Sequence, residues 1–142
     1  MFITRATRHD LSDLEEFFAN EKWDDPVLDQ GIAFIARDGA IIGNVRLIEV
    51  EPQTVVVEDV LVREDRRGNG LGANIMQAAM NGKGGKLYLC SHPERMRFYS
   101  DLGFQEVSFG DLPATVQTFF QDRGDSPDKL PPDHVHHFLT AR

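Results

Sequence analysis

Six consecutive residues, Arg67-Gly68-Asn69-Gly70-Leu71-Gly72, have the composition of an anion cradle. Glycine admits positive φ and lets a phosphate reach the main chain without meeting a Cβ. Behind them, Ile75, Met76, Ala79 and Met80 recur at helical spacing, with Asn81-Gly82 as a stop signal. Ahead of them, Thr54 to Val62 reads TVVVEDVLV, and its β-branched residues predict a strand. A glycine turn opening a helix presents unpaired N–H groups and the positive end of the helix dipole, a fit for a diphosphate. Arg63, Arg66 and Arg67 add three cations to the same turn.

A Walker loop is excluded, because no Gly-Lys-Ser/Thr follows the glycines. Gly68, Gly70 and Ala73 formally meet the relaxed dinucleotide fingerprint G-x-G-x-x-G/A. In that motif the strand runs almost straight into the first glycine, whereas here Arg63-Glu64-Asp65-Arg66-Arg67 intervenes. The pattern instead resembles motif A of the GNAT superfamily of acyl-CoA-dependent N-acyltransferases, R/Q-x-x-G-x-G/A. Arg67, Gly70 and Gly72 fill it, after a hydrophobic-x-Val strand end at Val60-Leu61-Val62. The resemblance implies a coenzyme A pyrophosphate held by the loop, with Arg66, Arg67, Gly68, Asn69, Gly70, Leu71, Gly72 and Ala73 as its contacts. It also implies that backbone N–H from Val60, Leu61 or Val62 meets the acyl carbonyl.

A second stretch, Phe98-Tyr99-Ser100-Asp101-Leu102-Gly103-Phe104, is similar to the motif B ending of the same superfamily, F/L-Y-x-x-x-G-F. There the tyrosine protonates the departing thiolate, which assigns that role to Tyr99. Many members carry an asparagine seven residues earlier that touches the cofactor or caps the helix; His92 occupies that place. For the base that strips the amine, Glu58 and Asp59 are the best-placed carboxylates, just before the acyl-contacting strand end. Neighbours in a regular strand face opposite ways, so at most one points into the site, and Glu58 shares its face with Val60 and Val62. Direct attack in a ternary complex is expected rather than an acyl-enzyme on Cys90, which lies in an apolar strand with no clear base beside it. The resemblance covers roughly Phe2 to Val107.

The elements that must position these residues follow from local signals. Phe2 to Arg5 suits a first strand, and Thr7 with Asp10 forms a capping box with Asp in place of Glu. Leu11, Leu14, Phe17 and Phe18 make one helical face. Trp23 follows in a polar loop, as a lid over the core or a pocket wall, before a short helix expected around Val27 to Gln30. Ile32 to Ala36 and Ile41 to Val50 flank Asp38-Gly39, a hairpin signal, and Glu51-Pro52-Gln53 turns the chain again. Lys86 to Cys90 is a buried-looking strand, parallel to the Thr54 strand if the helix between is a crossover. A helix then begins near Pro93, capped by His92 or, one register earlier, by Ser91 with Glu94. Gly103 ends it. Pro113 opens a further helix containing Val116, Phe119 and Phe120, and His134 to Leu139 is expected as a last strand.

These elements predict an α/β (α+β) fold with a mixed, mostly antiparallel central sheet and helices on both faces. Its 142 residues suit a single acyltransferase domain, residues 1–142. A net charge of −8 argues against nucleic acid and anionic membrane as partners and makes a cationic acceptor attractive. The single cysteine allows no internal disulfide, and no apolar run approaches membrane-spanning length, so a cytoplasmic location is expected. No metal is expected either. Alternation in the last strand would put His134 and His136 on one face and His137 on the other, with no thiolate or carboxylate partner in view. The resemblance implies acetyl-CoA as cosubstrate and acetyl transfer to the primary amine of a small molecule. An amino-acid acetyltransferase and a non-catalytic acyl-CoA sensor are the alternatives, and a homodimer is allowed.

Overall fold

The computed structural model describes residues 1–131 and 133–142. Among these described residues seven strands form one sheet, β1 (Phe2–Arg5), β2 (Ile32–Asp38), β3 (Ala40–Glu51), β4 (Thr54–Val62), β5 (Lys86–Ser91), β6 (Gln105–Val107) and β7 (His137–Ala141), in the order β1-β2-β3-β4-β5-β7-β6. The helices are α1 (Leu11–Asn20), α2 (Leu71–Gly82), α3 (Met96–Asp101) and α4 (Ala114–Asp122). The pairings of β1 with β2, β2 with β3, β5 with β7 and β6 with β7 are antiparallel, whereas in β4 and β5 Thr54–Val56 runs parallel to Lys86–Tyr88, as a helical crossover requires. Among the described residues no helix is long and apolar enough to cross a membrane.

The chain divides into two compact units, Met1–Ile48 with Val57–Gly84, and Glu49–Val56 with Gly85–Arg142. In the first, α1 starts where the sequence places it. Thr7 Oγ1 accepts from His9 N, and Asp10 Oδ2 accepts from Thr7 N at 2.8 Å, closing the capping box over a 3₁₀ turn. Leu14, Phe17 and Phe18 then bury against Ala33, Ile35, Ile41 and Leu61. On β2 the intervening Phe34 faces the other way, against Gly82 at the end of α2. Ile75 of α2 lies so close over Gly43 of β3 that a Cβ there would collide with it. Alternation along the strands therefore sends α1 to one face and α2 to the other.

The expected helix at Val27 to Gln30 does not form; the segment between α1 and β2 is irregular. Four residues with a proline just ahead are too few to sustain a helix alone.

In the second unit, Val56, Tyr88 and Phe138 present one face to Leu112, Val116 and Phe120 of the α4 segment. Leu139, pointing oppositely, shares a groove with Met96, Ser100 and Phe104. Pro113 caps α4 and Pro93 takes the first position of a 3₁₀ turn leading into α3, with His92 as its cap. That decides between the two registers: Ser91 makes no capping box, and its hydroxyl donates to the His92 carbonyl at 2.9 Å. α3 ends at Gly103 with N–H bonds from Gly103 to Ser100 O and from Phe104 to Tyr99 O, both 3.0 Å, a Schellman pair. The last strand starts at His137 rather than His134. Strand alternation thus says nothing about His134 and His136, which precede it.

Candidate active site

The strand end, glycine loop and helix start all lie in the first unit and are consecutive in the chain. β4 is not regular throughout. Asp59 has φ +54, a left-handed residue inside the strand. One such residue interrupts the two-residue alternation, in the manner of a bulge, so the faces of Glu58 and Asp59 do not follow from counting. Asp59 is 4% exposed. Trp23 Nε1 donates to its Oδ1 at 3.0 Å, the Val27 N–H donates to its Oδ2 at 2.7 Å, and Asn44 Nδ2 donates to its carbonyl at 2.9 Å. Trp23 also packs over the α1 core, and the carboxylate thereby anchors the irregular segment that follows α1. Glu58, beside it, is only half-buried.

Arg46 is nearby in charge terms. Burial pushes its guanidinium down from the ordinary value, while Asp59 and Asp29 oppose that shift. Its Nη1 donates to Gln30 O at 2.7 Å. Asn44 and Arg46 are 0% and 5% exposed, polar positions inside the apolar run of β3. That interruption was the one sequence signal for this buried network. If Asp59 is a brace, Asp59→Asn should lower unfolding stability by about 1–3 kcal/mol, because an amide N–H would replace one acceptor and strand a buried donor. Asparagine tolerates left-handed φ, so the backbone would not be the cause. Urea unfolding checks this; unchanged stability with lost turnover would make Asp59 the base.

The loop itself begins with a 3₁₀ turn at Glu64–Arg66, becomes extended at Arg67, and passes through Gly68 at φ +86 and Gly70 at φ +78 before α2. At both glycines an added Cβ would meet nothing within 4 Å. They are needed for the positive φ and leave the main chain open to a ligand. Gly70 caps α2 without a side chain, so the first N–H groups of the helix, which have no partner inside it, point at that opening.

The three arginines are less available than their count suggests. Arg63 Nε reaches Asp65 Oδ1 at 2.6 Å, and this partner raises the guanidinium above its ordinary value. Arg66 Nη2 pairs with Asp38 Oδ2 at 2.6 Å and holds that carboxyl below the usual carboxylate range. Arg67 donates from Nε to Val62 O at 2.8 Å and from Nη2 to Glu21 Oε1 at 3.4 Å, tying the loop to the strand end and to the residue that closes α1. Glu21 Oε1 also accepts from Glu64 N at 3.0 Å. The arginines brace the loop, so the donors it offers are mainly backbone N–H groups. Glu21 and Asp38 lie 46 and 28 residues from their arginines, beyond any spacing rule.

His92 and Tyr99 belong to the second unit. His92 is exposed, caps the turn before α3 through its backbone, and sets its ring edge-on to His136 with centroids 5.0 Å apart. Tyr99 is 4% exposed, its ring edge-on to Phe98 and Phe104 at 5.0 and 5.7 Å.

Residues 29–106, more than half of the chain, match the acetyltransferase (GNAT) domain. The chain belongs to the GNAT acetyltransferase family. GNAT proteins are acyl-CoA-dependent transferases. Among curated proteins the sequence finds no significant match. Solved structures share the fold. N-acetylglutamate synthase from Neisseria gonorrhoeae, in complex with coenzyme A and N-acetyl-glutamate, matches at TM-score 0.73 and 16% identity over 100% of this chain. This chain spans only 35% of that one. A GNAT-family acetyltransferase from Staphylococcus aureus Mu50 matches at TM-score 0.70 and 17% identity, covering 98% of this chain and 96% of the other. Rv2747 from Mycobacterium tuberculosis, in complex with CoA and NLQ, matches at TM-score 0.70 and 14% identity over 99% and 98%.

Proposed function

We propose that this GNAT protein transfers an acetyl group from acetyl-CoA to the primary amine of a small molecule by direct attack in a ternary complex. The observation that carries the reading is the Gly68–Gly70 opening, two left-handed glycines with open space above them at the start of a helix that has no side-chain cap. A diphosphate placed there would accept from the N–H groups of Gly70, Leu71, Gly72 and Ala73 and gain from the helix dipole. Val60, Leu61 and Val62 supply the backbone that polarises the acyl carbonyl. Such a donor matters most when aimed at the oxyanion of the tetrahedral intermediate. Tyr99 protonates the departing thiolate. The amine nitrogen bonds to the carbonyl carbon to give that intermediate, and its collapse breaks the thioester C–S bond.

The base is Glu58, directly or through one water, since the Asp59 carboxylate already accepts from Trp23 and Val27. An alkyl amine has a pKa of about 10 and is mostly protonated at neutral pH, so a carboxylate both attracts it and takes its proton. Glu58→Gln should lower kcat/KM and move the rising limb of the pH–rate profile toward the amine's own pKa, leaving coenzyme A affinity unchanged. A silent Glu58→Gln would remove Glu58 from the mechanism. The net charge of −8 favours a cationic acceptor such as a polyamine. Free-thiol release from acetyl-CoA across a panel of polyamines, aminoglycosides and amino acids tests the function. Turnover with the polycationic amines is expected. Turnover only with amino acids would move the acceptor class, and binding of coenzyme A with no turnover on any amine would make the protein a sensor.

A further inference from the structure

The histidine-rich segment before the last strand carries a site that the acyl-transfer chemistry does not use. Sequence reasoning set it aside for want of a thiolate or carboxylate partner, and folding supplies both. Cys90 lies near the end of β5 on the face that packs against the α4 segment. Asp125 is held just past α4, where Gly124 N donates to Gln121 O at 3.1 Å and Asp125 N donates to Phe120 O at 2.9 Å in a Schellman motif. His136 immediately precedes β7, whose Phe138 pairs with Cys90. One sulfur, one carboxylate oxygen and one imidazole nitrogen are thereby placed within 4.8 Å of one another.

His136 Nδ1 is buried and finds no hydrogen-bond partner among the described residues. Asp125 Oδ1 stands 3.8 Å away, too far for a hydrogen bond. Two ligands about 2.1 Å from one zinc ion at the tetrahedral angle lie about 3.4 Å apart, close to this separation. A buried nitrogen facing a carboxylate across such a gap is costly unless something shared lies between them. Thiolate, imidazole and carboxylate together suit a borderline-soft divalent ion such as zinc rather than magnesium or calcium.

We propose that Cys90, Asp125 and His136 form a zinc-class metal site with one position left open. Binding releases the Cys90 thiol proton to solvent, leaving the thiolate on the ion, and uses His136 as the neutral imidazole. The site is independent of the acyl-transfer reading and lies wholly within the second unit.

Cobalt titration of the metal-stripped, full-length protein tests it. One Co²⁺ per chain should bind with a thiolate-to-cobalt charge-transfer band that Zn²⁺ then bleaches. Cys90→Ser should remove the band. Asp125→Asn and His136→Gln should each weaken binding by more than about 100-fold, since losing a ligand exceeds the roughly 10- to 100-fold cost of losing an outer-shell partner. His134→Gln, at an exposed position nearby, should change nothing. Absence of the band in the wild-type protein overturns the site whatever the variants do. So does a band that survives both Asp125→Asn and His136→Gln, or one weakened equally by His134→Gln.

Discussion

Gly70→Asp is expected to abolish coenzyme A binding while leaving the protein folded. Gly70 sits at φ +78 with open space where a Cβ would go, and aspartate is among the few residues that accept that conformation. Aspartate is also a strong N-cap, so its carboxylate would take the α2 N–H groups for itself. The substitution would therefore occupy the donors and place a negative charge where the proposed diphosphate would lie. At ligand 100-fold above Kd, the wild-type protein should gain about 2.7 kcal/mol of stability, seen as a raised Tm. The variant should gain nothing. A folded variant with an undiminished shift would move the cofactor elsewhere.

Tyr99→Phe should lower turnover by about 100- to 1,000-fold, in line with loss of general-acid help, with coenzyme A affinity barely changed. Phenylalanine keeps the edge-on packing to Phe98 and Phe104, so the fold should survive. The loss should be smaller for acyl donors whose thiol leaving group has a low pKa, because such a thiolate needs less protonation. Equal turnover in variant and wild type would return Tyr99 to a packing role.

The parts of this molecule written in local signals were legible before folding. The capping box at Thr7, the Asp38-Gly39 hairpin, the strand–glycine loop–helix sequence and the glycine after α3 each depend on residues a few positions apart. What escaped depends on distant partners or on departures from regular backbone. Asp59 reads as an ordinary strand residue until Trp23, Val27 and Asn44 are seen to hold it. Periodicity assumes an unbroken pleat, and one left-handed residue defeats it. The three-residue β6 is too short to show alternation, and His134-Val135-His136 mimics the start of β7, which lies at His137.

The candidate site divides along the same line. Its glycines and their conformation follow from motif spacing, while the pairing of Arg66 with Asp38 and of Arg67 with Glu21 does not. A reading from charge alone makes the loop a cluster of cations, whereas the folded loop is chiefly a set of backbone donors braced by neutralised arginines. Such a loop should bind diphosphate with a weaker salt dependence than three unpaired guanidiniums would give.

Backbone amide chemical shifts of the ¹⁵N-labelled protein, followed as coenzyme A is added, report whether the glycine loop holds the diphosphate. The largest saturable changes are predicted at Gly68 to Ala73, because those N–H groups would take the diphosphate. Dephosphorylated pantetheine, which lacks the diphosphate, should leave them unmoved. Saturable binding of coenzyme A that shifts other amides and spares Gly68 to Ala73 would place the diphosphate outside the loop.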